Sequence, residues 1–335
     1  MWLSADWHLT AKPEDEYRWD VFRRLRELTR DPSLEHEIVV LGDITDHKTD
    51  KHPAALVNRL VDELLSFVRR GNTTVTIIMG NHDAPLNGVP YWDFLNELPN
   101  VNYLSKPTGN ADTWFLPYTK APQWDWKKLD FKRCKLIFMH QAVAGANIGN
   151  GRKINEDLGV SFPRGCRVYA GDIHTPQTVG NVTYVGAPHW VRFGDTHERR
   201  LLRIDDTTYK IAEEIKITDG ARKLIANVRS LADLTKLDVN AGDQVRVRYS
   251  VGDIASVPEM SAEIQAWAVS AKVSLVSVET ALEGDEQTAE AGDFLHEPGS
   301  ILHAFAKYEA LTCDLYEAGA RLLADLLPST EIPSY

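Results

Sequence analysis

The chain has 335 residues, 43% hydrophobic and 25% charged, an ordinary globular balance with enough apolar material for a buried core. Its formal net charge is −11, unevenly spread: residues 1–220 carry 28 basic against 30 acidic groups, residues 221–335 only 9 against 18. This excludes a simple basic coat for nucleic acid, and the lack of any long apolar run predicts no membrane span.

Short apolar runs alternate with amphipathic stretches from the first residue onward. Trp2–Ala5 predicts a strand. Residues 14–30 set Tyr17, Val21, Leu25 and Leu28 at helical spacing. Ile38–Leu41 is a β-branched run ending at Gly42. Pro53 opens a helix that carries Leu56, Leu60, Leu64 and Phe67. Val75–Met79 predicts a strand ending at Gly80. Further strands are expected at Val101–Leu104, Trp114–Leu116, Leu136–Met139, Arg167–Ala170, Thr183–Val185 and Leu201–Ile204. This alternation predicts an α/β layered fold. Beyond it, Gln244–Val251 alternates apolar and polar residues, residues 258–271 read as a helix, and Val273–Val278 as a strand, a small β-α-β unit. Residues 281–299 are acidic and Gly-containing, a linker. Ser300 then caps a final helix over 300–327, apolar on one side.

Ligand-type side chains gather where the strands stop. Asp6 and His8 follow the first strand, and Asp43 and Asp46 follow Gly42. Asn81, His82 and Asp83 follow Gly80. His140 closes Leu136–Met139, and Asp172 and His174 follow Gly171. In an open α/β sheet the carboxyl ends of strands face one crevice, where ligands bind. Asp6/His8 and Asp172/His174 are each two residues apart, so on extended chain both members face the same side. Imidazole, carboxylate and amide oxygen together suit a divalent metal such as Mn, Fe or Zn. The cluster contains no cysteine, which argues against a structural zinc site. Cys134, Cys166 and Cys313 are scattered and odd in number, and residues 1–8 show no secretory leader; the expected location is the cytoplasm. Lys127, Lys128, Lys132, Arg133, Arg152 and Lys153 are candidate phosphate contacts, and Trp124 and Trp126 candidate stacking platforms for bases.

These segments resemble the calcineurin-like metallophosphoesterases over residues 1–175. The carriers are Asp6–His8, Gly42–Asp46, Gly80–Asp83, Met139–His140 and Gly171–His174. Tyr169–Gln177, Tyr184–Pro188 and Phe193–Asp195 further resemble the SbcD branch, the nuclease subunits of DNA break-repair complexes. The resemblance implies two packed mixed β-sheets flanked by helices (residues 1–210), a capping β-α-β domain (211–290) and a C-terminal helix (291–335). It implies two divalent metal ions, one held by Asp6, His8, Asp43 and His174, the other by Asp43, Asn81, His140 and Asp172. His82 would not bind metal; it would stabilise the transition state or protonate the leaving oxygen. The family usually has His where this chain has Asp172. Three carboxylates and a bridging hydroxide would balance two divalent cations, and the harder ligand set favours Mn2+, or Mg2+, over zinc. The implied activity is a two-metal DNA nuclease. Its implied partners are DNA and an SbcC-like coiled-coil ATPase that docks the terminal helix, with a homodimer as a further possibility. The alternatives are a phosphoesterase for small nucleotides or phosphoproteins, and a non-catalytic scaffold.

Overall fold

The computed structural model describes residues 1–46, 51–69, 71–84, 89–149, 152–155, 157–251 and 257–282. The linker beyond 282, the final helix and Cys313 lie outside the described residues.

Strands that read as unbroken apolar runs are buried on both faces, as expected of parallel strands inside a layered fold. His36–Val40 sits between Trp2–Ser4 and Thr73–Ile78, parallel to both, and Val101–Leu104 extends the sheet beyond Thr73–Ile78. On the other side Arg199–Ile204 pairs antiparallel with Trp2–Ser4, and Ile211–Ile217 pairs antiparallel with Arg199–Ile204. Ile211–Ile217 therefore belongs to the first sheet, although the domain boundary expected at 210 falls before it. Its exposed, charge-rich face hides it from a search for apolar runs.

The second sheet runs in the order Gln177–Val179, Val182–Tyr184, Arg167–Gly171, Leu136–His140, Thr113–Leu116, Thr108–Gly109. The two sheets share a core in which Leu3, Val39, Leu41 and Ile78 meet Leu136, Phe138, Tyr169 and Val185. The outer face of the first sheet packs on the helices Asp20–Leu28 and Ala54–Val68 through Phe22, Leu25, Leu60 and Leu64. The outer face of the second is covered by a short helix, Pro122–Asp125, and by irregular chain carrying Trp126, Phe131 and Leu158. The single helix expected over 14–30 is two: a 3-10 helix, Pro13–Trp19, then Asp20–Leu28. In the first of them Arg18 and Trp19 turn inward and donate to the carbonyls of His8 and Thr10.

The capping unit is a parallel three-stranded sheet of Lys223–Val228, Gln244–Val251 and Ser274–Leu282, crossed by the helix Val257–Ala271. Val245, Val247, Tyr249 and Ile264 form its own core. Among the described residues no helix is long and apolar enough to cross a membrane.

Candidate metal centre

The strand ends converge. Trp2–Ser4, His36–Val40, Thr73–Ile78, Leu136–His140 and Arg167–Gly171 all point their carboxyl ends at one edge of the two sheets. The loops that follow are stitched together through their backbones. The amide of Asp6 donates to the Gly42 carbonyl at 3.0 Å, and that of His8 to the Asp43 carbonyl at 2.9 Å. The Asp172 amide donates to Asp6 Oδ1 at 3.0 Å, joining the second sheet to the first.

Four of the ligand-type residues carry positive φ: Asp6 (53°), His8 (43°), Asp43 (54°) and Asp172 (82°). Left-handed backbone is costly for residues with a Cβ and persists where the surroundings impose it, a pattern that clusters at functional sites. Close packing explains two of the neighbouring glycines. A Cβ on Gly42 (φ +85°) would collide with the His140 ring, and one on Gly80 would collide with the Asp43 amide and carboxylate.

His140 is fully buried, and its Nδ1 lies 2.6 Å from the Leu41 carbonyl. A carbonyl can only accept, so Nδ1 carries the proton. The other nitrogen, Nε2, faces three oxygens: Asn81 Oδ1 at 3.1 Å, Asp43 Oδ1 at 3.4 Å and Asp172 Oδ1 at 3.8 Å. Such a ring needs either a second proton or a cation in front of it. The pKa reflects this: burial pushes His140 down, but Asp43, Asp172 and Asp6 outweigh it and hold it well above the usual range.

The other half of the centre has the same character. His8 Nε2 lies 3.1 Å from His174 Nε2 and 3.5 Å from Asp43 Oδ2. Burial, reinforced by His8 and Arg192, holds His174 well below its ordinary value, in the neutral form a metal requires. Asp6 is completely buried; burial, and the Asp43 charge after it, raise its pKa to about 7. Its Oδ2 has no hydrogen-bond partner. Burial also pushes Asp43 upward, but His140, His8 and His82 outweigh it and keep it ionised. An orphaned carboxylate oxygen, two imidazole nitrogens face to face and a third ring against oxygens all fit bound cations. The groups Asp6/His8/His174 and Asp6/Asp43/His140 each bring three ligand atoms within 4.8 Å of one another.

His82 stands at the margin. Its Nδ1 donates to the Asp46 carbonyl at 2.7 Å, so Nε2 is its working atom, and its ring packs edge-on against His8. Its backbone amide donates to Asp43 Oδ1 at 2.8 Å. Geometry alone also groups His82 with His8 and Asp43.

All seven ligand candidates and His82 thus sit together. The candidate phosphate contacts do not share that burial: Lys127, Lys128, Lys132, Arg133, Arg152 and Lys153 are exposed. Of the two tryptophans, Trp124 is 66% exposed with Lys127 over its ring, but Trp126 is 1% exposed and belongs to the core, so it cannot stack on a base. Sequence spacing placed Asp46 and Asp83 at the strand ends without a role, and it missed Arg18. Asp83 ties two loops together by accepting from the amides of Ile44 and Gly80. Asp46 Oδ1 lies 3.2 Å from His8 Nδ1. Arg18 reaches the His8 carbonyl from a helix that looks like a surface helix in sequence.

A family model described as Calcineurin-like phosphoesterase matches residues 1–199. The chain belongs to the calcineurin-like phosphoesterases. No curated protein matches it. The calcineurin-like phosphoesterases are divalent-metal hydrolases of phosphate esters, and the matched span contains every residue of the cluster. The Tyr184–Pro188 segment backs this cluster. The amide of Ala187 donates to the His174 carbonyl at 3.0 Å, and a Cβ on Gly186 (φ +82°) would meet Pro176 and that same carbonyl. Within Phe193–Asp195, Asp195 Oδ2 accepts from the amides of Val191 and Arg192.

Proposed function

We propose that this calcineurin-like phosphoesterase is a two-metal DNA nuclease of SbcD type. The observation that carries the reading is the double cluster on either side of Asp43. Asp6, His8 and His174 would hold one divalent cation with Asp43, and Asn81, His140 and Asp172 the other. The cations, Mn2+ or Mg2+ for this oxygen-rich set, would supply Lewis acidity and a water of lowered pKa. The chain supplies the rest. The Leu41 carbonyl fixes the His140 tautomer, and the Asp46 carboxylate faces Nδ1 of His8. Such partners orient metal ligands and raise their basicity. His82 Nδ1 is held by the Asp46 carbonyl, so Nε2 is the atom that would deliver a proton to the leaving oxygen.

A surface pocket of about 350 Å³ lies beside the cluster. It is walled by Pro107, Pro117, Tyr118 and Thr119, with Lys106 at its lining. Tyr118 joins it to the cluster: its amide donates to the Met79 carbonyl at 2.8 Å and its ring meets His140 edge-on. The capping unit and the motifs at Tyr169–Gln177, Tyr184–Pro188 and Phe193–Asp195 favour a nuclease over a small-molecule phosphatase. An SbcC-like ATPase is the proposed partner, docked by the terminal helix.

Asp172 stands where the resemblance leads one to expect His. Asp172→Ala is expected to lose one of two Mn2+ ions by elemental analysis, whereas Asp172→His keeps both ions and activity. Two metals in both variants would remove Asp172 from the ligand set.

The proposed substrate is tested by digestion in Mn2+, comparing single-stranded DNA, duplex DNA and an aryl phosphodiester. DNA hydrolysis that weakens steeply between 50 and 200 mM salt is expected, by about 10³-fold or more in binding if six or more phosphates are contacted. Hydrolysis of the aryl ester with no DNA cleavage would leave a phosphodiesterase for small substrates. A flat salt response would remove Lys132, Arg133, Arg152 and Lys153 as DNA contacts.

A further inference from the structure

Arg18 sits where the metal centre meets the capping unit. It is 1% exposed, and its guanidinium faces four acceptors. Two are carbonyls, His8 and Val191, the latter at 3.4 Å. Two are carboxylates, Asp15 Oδ1 at 3.3 Å and Asp46 Oδ2 at 3.6 Å. Asp46 in turn faces His8 Nδ1 with its other oxygen and holds His82 with its carbonyl. Arg18 therefore touches both the backbone of a proposed ligand and the carboxylate that faces that ligand's ring.

Asp15 is shared. Its Oδ1 also pairs with Lys223 Nζ at 3.0 Å, and its Oδ2 accepts from Thr10 at 3.1 Å. Lys223 opens the first strand of the capping sheet, in register with Gln244, whose side-chain Nε2 donates to the Glu14 carbonyl at 2.6 Å. Burial pushes Asp15 up, but Arg18 and Lys223 together outweigh it and hold it low. Phe193 completes the seat. Arg246 and Lys223 lie over its ring at 4.2 Å and 5.6 Å, and the Gly194 amide donates to the Lys223 carbonyl at 3.0 Å. The Phe193–Asp195 motif thus anchors the capping unit and contributes no ligand candidate of its own.

We infer that Arg18 is a positioning residue: Lys223 of the capping unit, acting through Asp15, sets where the Arg18 guanidinium lies and so holds the His8 loop and Asp46 in place. The inference rests on the reading of His8 as a metal ligand. In a low-dielectric interior, a carboxylate that loses one of two cations is drawn to the other. With Lys223 gone, Asp15 draws Arg18 away from Asp46, and His8 loses its orientation. Coupling of this kind is reciprocal, so metal binding must also tighten the seat of the capping unit.

The test is Lys223→Met in the full chain, read by Mn2+ titration and by the 15N spectrum of histidine-labelled, metal-free protein. Mn2+ affinity is expected to fall about tenfold, the lower end for loss of a supporting partner, and the His8 nitrogens to shift. Lys216→Met, which breaks the exposed pair with Glu198, should do neither. A lowered melting temperature with unchanged Mn2+ affinity and an unchanged His8 signal would overturn the inference, because it describes a purely structural contact. Should Lys223→Met fail to fold, Phe193→Leu removes the ring beneath Lys223 without touching a charge; the same changes, smaller, are expected, and their absence has the same consequence. If the wild type binds no Mn2+, the metal reading fails, and the His8 signal still decides the coupling.

Discussion

Asp43→Asn is expected to cost the protein both cations and to lower kcat/KM by about 10³-fold or more, since metal-ion charge stabilisation is worth several kcal/mol and each 1.4 kcal/mol is tenfold. The carboxylate faces both halves of the centre with a different oxygen: Oδ1 lies 3.4 Å from His140 Nε2 and Oδ2 lies 3.5 Å from His8 Nε2. Asparagine keeps the shape and the acceptor for the His82 amide, and it tolerates the left-handed backbone at this position. What it removes is the charge. In the metal-free protein that charge repels Asp6 and Asp83 but attracts His140, His8 and His82, which together outweigh the cost of burying it. A lower melting temperature without metal is therefore expected as well, and the ion count is the deciding readout. Elemental analysis showing two ions in Asp43→Asn would exclude the bridging role.

His82→Ala should bind two Mn2+ ions normally and lose about 10²–10⁴-fold in kcat, the usual contribution of a general acid or base. The nitrogen that matters is Nε2, because Nδ1 is committed to the Asp46 carbonyl. The choice between its two roles lies in the leaving group. A nitrophenolate leaves without a proton, so if His82 is the acid, an aryl phosphodiester should suffer far less than DNA. Equal losses on both substrates would make His82 a stabiliser of the transition state. Wild-type rates on both would remove it from the mechanism.

The strands that build the centre are legible in the sequence because each is a short apolar run stopped by glycine and then by a ligand-type residue. Gly42-Asp43 and Gly80-Asn81 are examples, and the structure gives the reason: side chains at those glycines would strike His140 and Asp43. His140 alone looks like a buried core histidine. Only the tertiary fold, which sets its Nε2 against three oxygens, shows a ligand-like environment. Ile211–Ile217 escapes notice because an exposed edge strand has no apolar periodicity to read. Trp126 misleads in the opposite sense. Its lysine-rich surroundings suggest a surface aromatic, yet the helix turn at Pro122–Asp125 carries it inward onto Phe131 and Leu158. Arg18 is the hardest case. Asp15 is a local i,i+3 partner, but His8, Asp46 and Val191 are brought to it by packing of segments up to 173 residues apart, and no local pattern encodes that.

The most direct measurement is anomalous scattering at the manganese edge from crystals grown with Mn2+. Two peaks are expected, one against Asp6, His8 and His174 and the other against Asn81, His140 and Asp172, with Asp43 touching both. No peak at this edge of the sheets, or a single peak that leaves His140 and Asp172 uncoordinated, would contradict the two-metal centre.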